Sequence, residues 1–166
     1  MKAVLISIRP EWCEKIVNGK KTIEVRKTRP KLETPFKCYI YCTLPRYPHE
    51  DFIEADYPKP QFYGGGKVIG EFICNRVTNL FSNSRFWLDE DDILHTCLSA
   101  AEMRKYANGA NGLYGWHISN LKIYDKPRDL REFTGLRQTK FGAEPVPITR
   151  PPQSWCYVEE HRKENK

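Results

Sequence analysis

Gly19, Lys21, Glu24 and Arg26 form a G-x-K-x-x-E-x-R pattern. Two cations flank one carboxylate, and the set suits an anion or a polar base. Arginine offers a planar fork of donors and lysine a compact point charge, so Lys21 and Arg26 can hold a phosphate or carbonyl oxygen. Glu24 can accept from a base amino group. The same residues suit hydrolysis if Lys21 acts with a carboxylate to activate water. Glu24 and the later Glu71 are the candidates for that assisting group. The bland alternative is a Glu24–Arg26 salt bridge that orders one end of the fold. Exposed pairs of that kind contribute about 0–1 kcal/mol, so stability alone accounts for them poorly.

Lys20 and Lys27 widen the basic ground around the motif, and the formal net charge of the chain is +6. A basic balance favours polyanionic partners. The candidate nucleic-acid contacts are Lys20, Lys21, Arg26 and Lys27, joined by the ring of Tyr57 as a base-stacking platform. Ser154 and His117 have no spacing that would make them a nucleophile and its base.

Six cysteines raise disulfides and zinc, and neither is the first reading. There is no C-x-x-C. Cys38 and Cys42 stand four residues apart on an expected strand, about 13 Å by its rise. One zinc with thiolates at about 2.3 Å cannot take both. Cys13, Cys74 and Cys156 sit among apolar neighbours, as buried thiols do. His95 and Cys97 are the nearest approach to a metal pair. No metal and no cofactor is expected.

The elements that must position the motif are legible around it. Residues 2–8 read as a strand. Pro10 suits the first turn of a helix, and Trp12, Cys13, Ile16 and Val17 recur on one helical face. Gly19 is the natural C-terminal cap, with Lys20 and Lys21 at the negative end of the helix dipole. Residues 22–27 follow as a strand, with Ile23 and Val25 on one face and Glu24 and Arg26 on the other. On a regular strand Lys21 would oppose Glu24. A joint site therefore requires a twist, a bulge, or Lys21 still in the turn.

Strands are expected at 37–43, 67–78 and 113–124. A helix over 98–108 starts with capping-box spacing between Ser99 and Glu102. Residues 44–66 carry four prolines, five aromatic rings and a closing Gly64-Gly65-Gly66, and read as a long functional loop. From 125 onward proline and charge break the pattern, and 137–166 reads as an extended C-terminal segment. No apolar run approaches the ~18 residues that span a bilayer. The reading is one cytosolic domain over 1–166.

The motif, the opening Leu-Ile-Ser-Ile-Arg-Pro-Glu-Trp and the later Gly-Trp-His-Ile-Ser-Asn-Leu-Lys-Ile-Tyr resemble the ASCH domain family. That resemblance implies an α+β fold, a small PUA-like mixed β-barrel flanked by two or three short helices, with a cleft beside the first helix. It implies RNA or a modified nucleoside as partner. One branch of the family is similar to amidohydrolases acting on N4-acetylcytidine, using the motif lysine, a threonine at the position of Glu24 and a distant glutamate. Other members resemble ribonucleases. The leading expectation is a binding module. Its alternatives are a hydrolase centred on Lys21 and a protein-interaction module built on the aromatic 44–66 loop, with Tyr57 and Phe62 as contacts.

Overall fold

The computed structural model describes residues 1–44, 65–82, 85–86 and 90–161, with backbone alone at 81–82 and 85–86. The expected loop, Tyr57 and Phe62 included, lies almost wholly outside the described residues.

One mixed sheet organises the chain. Its strands are β1 (Lys2–Ile8), β2 (Ile23–Arg26), β3 (Phe36–Cys42), β4 (Lys67–Ser82), β5 (Arg85–Phe86), β6 (Gly112–Arg128), β7 (Thr134–Thr139), β8 (Gly142–Pro147) and β9 (Trp155–Glu159). They run in the order β2-β6-β4-β3-β1-β9-β7-β8, with β5 paired to β4. β1 and β3 are parallel, and the other pairs are antiparallel. The helices are α1 (Pro10–Val17), α2 (Glu90–Thr96) and α3 (Ala100–Ala107), with a 3-10 turn at Leu130–Glu132.

The sheet is curled. Four register shifts interrupt the β4–β6 ladder, and each such irregularity bends a strand and adds twist. At Gly70 the approach is so close that a β-carbon would strike the Lys122 carbonyl. The curl brings Arg26 on β2 against Ser7 on β1, four places away in the strand order. Among the described residues no ladder joins the end strands β2 and β8.

Period-2 alternation sorts the side chains onto two faces. Val4, Ile6, Ile8, Cys38, Ile40 and Cys42 pack on the first face with Trp116 and with Cys13 and Ile16 of α1. Ala3, Leu5, Tyr39, Tyr41 and Val158 pack on the second, under Leu130, Phe133 and Ile148. A third cluster joins Val25 and Leu113 to Met103 and Ala107 of α3.

α1 spans the residues its apolar spacing predicts, and Gly19 follows at φ +78° with its N–H donated to the Ile16 carbonyl. α3 carries the Ser99–Glu102 capping box in both directions. Other boundaries differ. β4 runs on to Ser82 and β6 to Arg128. α2 was not expected, and the broken pattern after 125 resolves into the β7–β8 hairpin. Pro145 and Pro147 are tolerated there because β8 ends the strand order, and an edge strand need not donate outward.

Candidate functional site

β2 begins at Ile23, so Lys21 stands in the turn before it and escapes strand alternation. That turn is pinned by the backbone: Lys21 N–H donates to the Lys15 carbonyl (2.9 Å) and Thr22 N–H to the His95 carbonyl (3.1 Å). The Lys21 side chain is thereby aimed inward. Its Nζ donates to the Thr96 carbonyl oxygen at 2.7 Å and lies 3.4 Å from Glu24 Oε2. The face of Trp12, one helical turn up α1, stands 5.2 Å from the same ammonium.

Arg26 reaches Glu24 from the other side. Its Nε donates to Glu24 Oε1 at 3.0 Å, and its Nη2 lies 2.8 Å from the same oxygen. Nη2 also donates to the Ser7 carbonyl at 2.6 Å. Nη1 donates to Ser154 Oγ at 3.2 Å and to the Ser154 carbonyl at 3.4 Å. A guanidinium has five N–H donors, and each of the three nitrogens of Arg26 donates to the protein. Arg26 thus holds Glu24 in place and ties β2 to β1 and to the segment entering β9.

The three charges are buried, with Lys21 at 2%, Glu24 at 5% and Arg26 at 7% exposure. The exposed salt bridge considered from sequence is therefore replaced by a buried triad. Removing such ions from water costs several kcal/mol each, and apolar residues of similar size would often serve stability as well. The triad leaves one net positive charge inside the fold. It also leaves hydrogen-bonding capacity unused at one place. Glu24 Oε2 is buried without a hydrogen bond, and so is the indole Nε1 of Trp116. Glu24 and Trp116 are direct partners in the β2–β6 register.

The other predicted residues fall elsewhere. Glu71 opposes Tyr39 in the β3–β4 register, and Tyr39 belongs to the second face. There Glu71 accepts from Tyr124 Oη at 2.7 Å and pairs with Lys37 at 3.7 Å. That hydrogen bond and burial push the Tyr124 phenol up, burial being the larger cause. Glu71 is separated from Glu24 by the sheet. Lys20 and Lys27 are exposed at the rim, with Lys27 Nζ 5.3 Å from the Tyr106 ring. His117 contacts Thr78 Oγ1 at 3.0 Å and Arg76 at 3.2 Å, away from Ser154.

The thiols are all free. Cys13 is held well above its usual range by hydrogen bonding with Cys42 and by burial, and burial pushes Cys74 and Cys156 up to about 11. These three are thereby kept from the thiolate form a nucleophile requires, whereas the hydrogen bond with Cys13 lowers Cys42. Among the described residues no group of three or more His, Cys, Asp or Glu stands together as a metal set. No helix among them is long and apolar enough to cross a membrane.

Sequence reasoning missed Ser7 and Thr96, which act through their backbone carbonyls and lie far away in the chain. Ser154, weighed there only as a nucleophile, instead holds Arg26 through its Oγ and its carbonyl. Trp116, weighed from sequence as a core or anchor residue against a base stacker, is the register partner of Glu24.

The ASCH domain family model matches residues 6–43. Among solved structures the chain is similar to an ASCH protein from Zymomonas mobilis, with TM-score 0.62 and 21% identity over 95% of this chain and 88% of that one. Two single-residue mutants of that protein superpose with TM-scores of 0.57 and 0.60, at 20% and 19% identity, over 96% and 95% of this chain and 92% and 89% of theirs. No curated protein matches the chain.

Proposed function

We propose that this chain is an ASCH-family protein and that it binds RNA or a modified nucleoside at the Lys21–Glu24 pair. The observation that supports the reading most is the unused hydrogen-bonding capacity beside that pair, at Glu24 Oε2. Buried polar atoms are ordinarily satisfied, and each exception calls for an explanation such as a ligand. Lys21 and Glu24 contact the ligand. Arg26, whose three nitrogens all donate to the protein, is a positioning residue. The net positive charge of the triad favours an electron-rich partner, and the exposed Lys20 and Lys27 extend that attraction to phosphates at the rim. In this reading the curled sheet is a PUA-like barrel whose mouth is fastened by the Arg26 side chain, and the 1–166 chain works as one domain.

The direct test is the affinity of a short single-stranded RNA at rising salt, measured by fluorescence anisotropy for the wild type and for Lys21→Ala. Salt-dependent binding that the variant loses, with its fold retained, supports the reading. Binding indifferent to Lys21 overturns it.

A hydrolase centred on the same pair is the second reading. It is favoured by one feature: a buried carboxylate oxygen, free of hydrogen bonds, 3.4 Å from an ammonium. Such an oxygen can take a proton from water while Lys21 steadies a developing oxyanion. Turnover of N4-acetylcytidine or single-stranded RNA, lost in Lys21→Ala, decides for it.

A further inference from the structure

Among the described residues, two buried side-chain polar atoms have no hydrogen bond, and they are complementary. Trp116 Nε1–H is a donor only, and ionised Glu24 offers an acceptor only. The two residues face one another across the β2–β6 ladder. Directly opposed positions place their β-carbons about 4.5–5.5 Å apart on one face of a sheet. Trp116 is fully buried and Glu24 is 5% exposed. Leaving a buried donor or acceptor without a hydrogen bond costs about 1–3 kcal/mol; Trp116 Nε1 has none, Glu24 Oε2 has only the Lys21 ammonium at 3.4 Å, and one ligand between them would satisfy both.

Neither side chain is free to turn away. Glu24 is held through its other oxygen by Arg26 at 2.8–3.0 Å. The Trp116 ring is wedged edge-on between Phe36, at 5.8 Å between centroids, and Trp155, at 5.9 Å.

We propose that Trp116 is a specificity-determining residue of this site: its indole N–H and Glu24 Oε2 together read a donor–acceptor edge on the ligand. The proposal rests on the nucleoside reading given above and narrows it. The matching chemistry is an exocyclic amino group beside an unprotonated ring nitrogen, the edge that cytosine and adenine share. The amino group donates to Glu24 Oε2, and the ring nitrogen accepts from Trp116 Nε1–H. Uracil and hypoxanthine present the reverse, a keto oxygen beside a ring N–H. They would set acceptor against acceptor and donor against donor, a mismatch at both contacts. A site built to hydrogen-bond a ligand group discriminates strongly against analogues that lack it, because its own buried groups are left unpaired.

The experiment is calorimetric titration of the full chain with cytidine, adenosine, uridine and inosine, and with 3-deazacytidine and 1-deazaadenosine, which keep the amino group but lack the ring nitrogen. The expected result is that cytidine or adenosine binds at least about tenfold more tightly than its keto counterpart. The deaza analogue of the preferred nucleoside should lose a similar factor. The two arms show whether the pyrimidine or the purine is taken. Trp116→Phe, which keeps the ring and removes the N–H, should level the nucleoside and its deaza analogue. The deaza arms need no variant, so they stand even if Trp116→Phe fails to fold.

Equal affinity for amino and keto nucleosides, or for the nucleoside and its deaza analogue, overturns the Trp116 pairing. If Lys21→Ala still abolishes binding in that case, the cleft reading survives it. Absence of binding by all six ligands overturns the Trp116 pairing, and RNA binding indifferent to Lys21 sinks the cleft reading as well.

Discussion

The Arg26 guanidinium lies 2.6 Å from the backbone carbonyl of Ser7, joining strands that stand four places apart in the sheet. A side chain does there what a ladder of backbone hydrogen bonds does elsewhere in the fold. The same guanidinium fixes the carboxylate of Glu24, so the contact between β2 and β1 and the geometry of the site depend on one group.

Arg26→Lys should therefore be severe although it keeps the charge. A lysine lacks the planar fork and cannot serve Glu24, Ser7 and Ser154 together. Breaking a buried charge network by removing one partner costs about 3–5 kcal/mol. Chemical denaturation should show a loss of that order. A loss under about 1 kcal/mol would mean that Arg26 closes nothing.

Lys21→Ala separates binding from folding. The residue stands in a turn held by backbone hydrogen bonds that the substitution leaves in place, and Glu24 keeps Arg26 as counter-ion. Thermal unfolding should remain cooperative while RNA affinity falls by more than about tenfold, a change of about 1.4 kcal/mol. A variant that unfolds without binding defects in its folded fraction would assign Lys21 to structure.

The rim lysines act by a different physics. Lys20 and Lys27 are exposed, and exposed cations contribute to nucleic-acid affinity through counter-ion release. Each phosphate contact on a single strand adds about 0.7 to the slope of log affinity against log salt. Lys20→Gln and Lys27→Gln should each lower the slope by about that amount. An unchanged slope in both would place the nucleic acid elsewhere.

Gly70→Ala tests the curl. The added β-carbon meets backbone at Lys122 and Ile123, which cannot swing aside as a side-chain tip would. Overpacking of this kind costs about 1–3 kcal/mol. A melting temperature equal to the wild type would show that β4 and β6 can part there at no cost.

Stability should fall on acidification through two histidines. Burial, and then Arg76, holds His117 below the ordinary histidine value, while Asp92 raises it and His95 lowers it. Burial likewise lowers His161, followed by Arg128. Each therefore binds its proton more readily when unfolded. Stability is complete above the unfolded value near 6.5 and declines as pH falls below it toward the folded value. His117→Gln should flatten the part of the melting curve against pH that lies below about 6.5. An identical curve would assign the effect to His161 and the carboxylates.

What could be read in the sequence was what local rules control. Pro10, the spacing of Trp12, Cys13 and Ile16, and Gly19 define α1 within a few residues, and Ser99 with Glu102 defines the start of α3. Strand alternation alone also required a twist, a bulge or Lys21 still in the turn, and the structure has the last of these. What could not be read depends on distant partners. The partners that hold the buried Lys21 and Arg26 are Thr96 for the first and Ser7 and Ser154 for the second, none of which carries a motif. Glu71 shares a strand with first-face residues, and only the register with Tyr39 shows that it points to the second. The β7–β8 hairpin was hidden by Pro145 and Pro147, which argue against a strand unless its place at the edge is known.

The hold of Ser154 on Arg26 bridges 128 positions of the chain. The stretch that carries the family signature ends at residue 43, long before that serine. A fragment cut to the signature, or the signature grafted into another scaffold, would reproduce the letters of the motif and leave its arginine without an anchor. The site is a property of the whole fold, because one guanidinium ties the motif strand to the first strand and to the segment entering the last.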